Sequence, residues 1–237
     1  MKKTNRIWIS VLTVLGFVLI LSNSCKKSSD DTTLSVTDKD GNVYKTVTIG
    51  TQVWMAENLK TTKYVNGDLI GTTPVPTTSI SAESTPKYQW PSSGNENDVA
   101  TYGRLYTWYA VTDTRNICPD GWHVPVNVEF TTLMTYLGGD TIAGSKLKET
   151  GTTHWASPNT RATNVTGFTA LPGGYRGYEG TYNFMSYTGY FWTATEYDPN
   201  NGWFRGLYYN GAYDHNLSNS KQAGFSVRCI KGPLVGK

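Results

Sequence analysis

Charge is scarce in this chain, and what there is cancels. Asp, Glu, Lys and Arg make up 16% of its 237 residues, against about 25% in an ordinary soluble protein. The formal net charge is only +3. Lys2, Lys3 and Arg6 supply all of that excess, because residues 1–24 hold no acidic residue; from Cys25 onward the two signs balance. A nucleic-acid footprint needs clustered surplus Lys and Arg, so no nucleic-acid partner is expected. Histidine is scarcer still. His123, His154 and His215 stand alone, none within four residues of another, so the spacings that hold a metal on one helix or strand are missing. No Gly-x-Ser-x-Gly elbow occurs, which removes the usual sequence mark of an α/β-hydrolase nucleophile.

Aromatic residues and glycine are plentiful instead. Phe, Trp and Tyr make up 13% of the chain, with 16 Tyr and 8 Trp, and there are 24 Gly. That aromatic load excludes a disordered chain, and the Gly and Thr content excludes a long helical or coiled-coil protein. The length fits one domain with a real core.

Residues 1–24 read as an address rather than as fold. A basic start, Met1–Arg6, precedes an apolar run from Ile7 to Leu21 broken only by Ser10, Thr13 and Gly16. As a helix that run is about 22 Å long, short of a hydrocarbon core of about 30 Å, so a signal peptide is preferred over a spanning anchor. Leu21-Ser22-Asn23-Ser24-Cys25 resembles a lipobox, in the relaxed form of lipoproteins from Bacteroidetes-type Gram-negative bacteria. Cys25 is then the lipidated first residue of an exported protein anchored in the cell envelope, at the outer membrane. Ordinary cleavage with a free Cys25 is the alternative. Residues 25–36 read as a polar tether, 37–232 as the domain and 233–237 as a tail. Cys118 and Cys229 remain; in an exported protein they form either one disulfide or two buried thiols.

Along the domain, Val43–Ile49 and Gln52–Met55 read as a hairpin, with Val43, Lys45, Val47 and Ile49 on one face and Tyr44, Thr46 and Thr48 on the other. Asp38–Asn42 reads as a tight turn rather than a calcium loop, since Val36 and Val47 stand where ligands would be needed. Gly71–Gly94, rich in Thr, Ser and Pro, reads as a long loop. Phe130, Leu133, Met134 and Leu137 make an apolar stripe that predicts a helix over Val126–Leu137, opened by Pro125 and closed by Gly138-Gly139. Arg104–Val111 is a second, shorter helix candidate. Phe191–Thr195, Trp203–Tyr209 and Gly224–Ile230 read as strands. The expected class is α+β.

Six blocks then stand in order: Gly41–Tyr44, Gln52–Leu59, Tyr102–Tyr106, Cys118–Pro125, Gly167–Arg176 and Gly224–Cys229. Together they resemble the Fibrobacter succinogenes major paralogous domain, a family of exported bacterial proteins, over about Thr37–Lys231. The resemblance implies a C-type-lectin-like fold related to formylglycine-generating enzymes. Such a domain has one or two helices, short antiparallel strands and a long loop-rich second half that carries the binding surface. It also implies that the last strand lies near the first, which favours a Cys118–Cys229 bridge. The relatives' paired reactive cysteines and clustered histidines are missing, so an enzyme is not expected, and His123 reads as a packed structural residue.

What remains is a surface. Tyr197, Trp203, Tyr208, Tyr209, Asn210, Tyr213, Asp214, His215 and Asn216 mix flat rings with short hydrogen-bonding groups, as a paratope does. Sugars suit the same mixture, with ring faces stacking and hydroxyls pairing. Trp192 and Phe204 read as core. No cofactor is implied; Glu196, Asp198 and Asn200 are weak calcium candidates that more simply form a turn. The leading expectation is a non-enzymatic envelope module for a glycan or a protein ligand. An enzyme of the formylglycine-generating superfamily and a structural envelope or adhesion protein are the alternatives.

Overall fold

The computed structural model describes residues 34–233. The signal segment, Cys25, most of the expected tether and residues 234–237 lie outside the described residues. Strands β1 (Ser35–Thr37), β2 (Val43–Ile49), β3 (Gln52–Met55) and β4 (Gln89–Pro91) come first. Helix α1 (Val99–Tyr102), strand β5 (Arg104–Thr107), helix α2 (Trp108–Val111) and strand β6 (Trp122–His123) follow. Helices α3 (Asn127–Tyr136) and α4 (Asp140–Leu147) precede β7 (Tyr175–Arg176), β8 (Tyr182–Asn183) and β9 (Thr188–Glu196). The chain closes with β10 (Asn201–Tyr208), β11 (Asp214–Ser220), β12 (Gly224–Phe225) and β13 (Ile230–Lys231). Among these residues no helix is long and apolar enough to cross a membrane.

The strands form three antiparallel sheets, in the orders β1-β2-β3-β13-β6, β11-β10-β9 and β4-β5-β12-β7-β8. This corrects the expected α+β, C-type-lectin-like class: strand reaches 32% against 14% helix, and two of the sheets curl as half-barrels. One of the two expected helices shows why. Arg104, Leu105, Tyr106 and Thr107 are all buried, between β4 and β12, so this run forms a central strand and only Trp108–Val111 turns helical. Full burial on both faces favours Tyr and Thr in a strand over their weak helix propensity. The second half keeps a long stretch without helix or strand, 148–174, but it also holds β9, β10 and β11, three of the longest strands described.

Helix α3 forms where the apolar stripe predicts it and buries Phe130, Leu133 and Met134. His123 secures its start. The imidazole is buried; Nδ1 lies 2.9 Å from the Gly232 carbonyl and Nε2 2.9 Å from Glu129 Oε1. Both neighbours offer oxygens, so a ring protonated on both nitrogens satisfies both contacts. Burial alone would lower the imidazole's pKa, but the hydrogen bonds to Glu129 and Gly232 outweigh it and raise it. Glu129 also accepts the Val126 N–H at 2.9 Å, half of a capping box. Helix α4 has no counterpart in the sequence reading because Thr141, Gly144 and Ser145 are poor helix formers. Gly144 is there for contact: a Cβ at that position would stand 2.3 Å from the Tyr213 carbonyl oxygen.

In the β2–β3 hairpin neither face of β2 is inward throughout. Tyr44 and Thr46 are buried and Val43 is exposed at its start, whereas Ile49 is buried and Thr48 exposed at its end; the Tyr44 hydroxyl reaches Asp38 Oδ2 at 2.5 Å. The core has two parts. One gathers Tyr106, Trp192, Phe204 and Phe225 around Cys118 and Cys229; Trp192 stacks on Phe225 at 4.2 Å. The other holds Trp54, Phe130, Trp155, Phe168, Phe191 and Leu207. Consecutive residues Phe191 and Trp192 enter different parts, as alternation along β9 requires. Cys118 and Cys229 are disulfide-bonded, with Cα atoms 5.9 Å apart.

Three cations are fully buried, and backbone carbonyls receive most of their hydrogen bonds. Arg228 donates to Asn58 Oδ1 and to the carbonyls of Met55, Phe168 and Thr169. Arg176 donates to the carbonyls of Pro76, Gly177 and Thr78 and lies 3.8 Å over the Trp90 ring. Lys148 donates to those of Thr160, Tyr208 and Gly211.

Candidate functional site

Side chains alternate along β10, so Phe204, Gly206 and Tyr208 share one face while Trp203, Arg205 and Leu207 share the other. The register sets Gly206 opposite His215 on β11 and opposite Tyr190 on β9. Gly206 leaves room for rings to close over it: a Cβ there would sit 3.3 Å from both Tyr190 and Tyr208. A continuous row of rings results. Tyr213 meets His215 at 4.5 Å, His215 meets Tyr208 at 5.2 Å, and Tyr208 meets Tyr190 at 5.9 Å. Tyr190 then meets Tyr175 at 5.7 Å, and Tyr175 meets Phe184 at 6.0 Å. These spacings suit tilted and edge-to-face pairs. Tyr175, Tyr190 and Tyr208 are half-buried and His215 is exposed, while Tyr213 and Phe184 at the two ends are exposed by 37% and 56%.

Both ends of the row are held in place. The β10–β11 turn carries Tyr209, Asn210 and Gly211, and the Lys148 ammonium grips it through the Tyr208 carbonyl at 2.9 Å and the Gly211 carbonyl at 2.8 Å. Burial lowers the Lys148 pKa to about 8. At the other end, Phe184 adopts φ +59°, a left-handed conformation that costs a bulky residue roughly 1–3 kcal/mol. Tyr187 and Thr188 N–H groups both donate to its carbonyl at 3.0 Å. Burial, then the Tyr190 hydroxyl, pushes the Tyr208 phenol pKa upward, so it stays a neutral donor at any physiological pH.

The residues singled out from sequence do not form one patch. Tyr208, Tyr213 and His215 lie in the row, with Tyr209 and the exposed Asn210 on the adjoining turn. Tyr209 packs edge-on against Tyr187 at 5.1 Å. Tyr197 and Trp203 form a separate pair, 4.7 Å apart and perpendicular, near the far end of β10. Asn216 is exposed on the opposite face from His215, in register with Arg205. Asp214 is buried and takes an Arg205 hydrogen bond at 2.7 Å, which removes it from the ligand-facing set. Its pKa rises to about 6 because burial outweighs the Arg205 charge. Trp192 and Phe204 are core, as expected. Of the calcium candidates, Glu196 pairs with Lys221 at 2.9 Å. Asp198 accepts the N–H groups of Asn200 and Asn201 at 2.7 and 2.8 Å, forming the turn expected there. Among the described residues no three His, Cys, Asp or Glu side chains gather as a metal site.

Tyr175, Phe184 and Tyr190 are the members of the row that sequence reasoning missed. The available signal was density: Tyr182, Phe184, Tyr187 and Tyr190 fall within nine residues.

The second surface feature is a cleft of about 530 Å³ near the far end of β10. Tyr109 of α2 and Tyr178 of the β7–β8 turn line it, with Asn200, Ser220 and Gln222 beside them. Glu83 and Ser84, from the 71–94 segment, complete its lining. Of the residues singled out from sequence, only Asn200 lies here.

Compared with known proteins, residues 47–231 match the family model described as the Fibrobacter succinogenes major domain. Neither a curated protein nor a solved structure matches the chain.

Proposed function

This chain belongs to the Fibrobacter succinogenes major domain family, and we propose that it is a lipid-anchored envelope protein whose domain binds carbohydrate without altering it. One observation carries the reading: the ring row from Tyr213 through His215 to Phe184, exposed at both ends and flanked by Asn210. Pyranose rings have apolar faces that stack on such rings, and their hydroxyls pair with short amides and imidazoles. A row of rings suits several sugar units of an extended glycan better than a single one. The absence of chemistry is supported by how the reactive groups are spent. Cys229 has no thiol because it is in the disulfide. His123 serves α3, and His154 pairs with Glu149 at 2.8 Å.

A glycan array followed by calorimetry tests the reading. Tyr213→Ala, at an exposed position, is expected to weaken the best glycan about tenfold, equivalent to about 1.4 kcal/mol. Silence across all glycan classes, or a variant that binds as tightly as the parent, overturns carbohydrate as the ligand. The anchor is tested separately. A basic start, a short apolar run and small residues before Cys25 support lipidation. Cys25→Ala is expected to move the protein from the membrane fraction into the soluble fraction; unchanged retention rules out the lipid.

A further inference from the structure

The cleft beside Tyr109 and Tyr178 lies at the opposite end of β10 from Tyr208, Tyr213 and His215. Asn200 precedes β10 and Tyr208 ends it, so the cleft and that end of the ring row lie roughly 25 Å apart along the strand at about 3.3 Å per residue, while Tyr175, in the row's other half, is three residues from Tyr178. A volume of about 530 Å³ is in the range of small-molecule sites, about 300–1,000 Å³.

We propose that this cleft is a second ligand site that takes one neutral pyranose unit. The argument holds whether or not the ring row binds glycan. Two phenol rings supply faces for stacking. The Ser84 hydroxyl, the Asn200 side-chain amide and the Tyr109 and Tyr178 hydroxyls make no hydrogen bond to any described residue. Both donors and acceptors are therefore free for a polyhydroxylated ring.

The walls are also built in advance, although the 71–94 segment that supplies Glu83 and Ser84 has little regular structure. Arg176 fixes it through the Pro76 and Thr78 carbonyls. Gln222 Nε2 fixes it again through the carbonyls of Ile80 and Glu83. The Ile80 N–H donates to the Tyr178 carbonyl at 2.8 Å, joining the two loops that face each other. Gly180 allows their approach: at φ +98°, its Cβ would stand 2.0 Å from the Thr77 carbonyl oxygen. A site ordered before binding spends less affinity on ordering itself.

Charge selects the ligand. Among the described residues no Lys, Arg or His lines the cleft, and Glu83 gives it a carboxylate. The nearby cation, Lys221, is buried and spent on Glu196 Oε2 and the Pro199 carbonyl, each at 2.9 Å. Uronates, sulfated sugars and phosphates would meet a carboxylate with no compensating cation.

Saturation-transfer NMR on the full mature protein tests this, with the methyl glycosides of glucose, galactose, mannose and glucuronic acid as probes. At least one neutral glycoside is expected to bind, and the glucuronide to bind more weakly. Tyr178→Ala and Asn200→Ala should each weaken that binding at least about tenfold, while Tyr213→Ala leaves it unchanged. Tyr178 is exposed and packs on no other described ring, so its replacement should keep the parent's circular dichroism. Tyr178→Phe, which removes only the hydroxyl, provides a milder second variant. Three results overturn the proposal: no neutral glycoside binds, binding persists in folded Tyr178→Ala, or Tyr213→Ala abolishes it, which would place the sugar on the ring row instead.

Discussion

Converting Cys118 and Cys229 together to alanine lowers the stability of the fold by about 4–5 kcal/mol, the cost of releasing a loop of this size in the unfolded chain. The bridge spans 111 residues, so it restrains roughly half of the chain before any contact forms. Both half-cystines are fully buried in the first part of the core. The Cys229 carbonyl accepts the Met55 N–H at 3.0 Å, and the Cys118 N–H donates to Asn116 Oδ1 at 3.0 Å. The bridge therefore ties the loop ahead of β6 to the strand that completes the same sheet. Urea unfolding should show a lower midpoint for the double variant, with the oxidised parent as reference. A change below about 1 kcal/mol would show that the bridge does not restrain the unfolded chain as its span implies.

Arg228→Met is expected to cost about 3–5 kcal/mol, comparable to breaking a buried ionic contact from one side. The guanidinium is fully buried and donates to Asn58 Oδ1 at 2.6 Å, to Met55 O at 3.2 Å and to Thr169 O at 2.9 Å, with Phe168 O as a further acceptor. Its plane also lies 4.6 Å from the Phe168 ring centroid. Methionine fills much of the volume but leaves those acceptors dry and unpaired. Arg228→Lys should recover little, because one ammonium cannot reach acceptors spread around a planar fork. Thermal unfolding of the three proteins decides this. A lysine variant as stable as the parent would mean that charge, not the fork, is what the site needs.

The legible part of this fold is the part written in local pattern. The α3 stripe, the Asp-Gly turn at 38–42, the β2–β3 hairpin and the two core aromatics of β9 and β10 follow from spacing alone. Arg104–Thr107 was illegible because its conformation depends on strands 15 and 120 residues away, β4 and β12. The burial of Tyr44 in β2 was illegible for a similar reason: its hydroxyl bonds to Asp38 inside the fold, which a count of apolar residues does not register. At the candidate site, composition found Tyr208, Tyr213 and His215 but misplaced Asp214, whose partner Arg205 lies nine residues earlier on the neighbouring strand. Nothing in the sequence marked Tyr175 as a neighbour of Tyr190, since β7 and β9 belong to different sheets. The cleft was hidden in the same way, being assembled from several distant segments.

The three interior cations carry a consequence for how the fold responds to acid. A joint made of Arg or Lys and a carboxylate loosens when acid protonates the carboxylate. The joints of Arg228, Arg176 and Lys148 close almost wholly on peptide carbonyls, with the Asn58 amide as the other acceptor, and none of these oxygens titrates in that range. Below neutral pH all three cations are charged folded or unfolded, so they add no slope to stability. Above it burial has lowered each pKa, so proton release favours the folded chain. The 71–94 segment, the ring-bearing turn and the chain between β12 and β13 are thereby held by acid-indifferent fastenings.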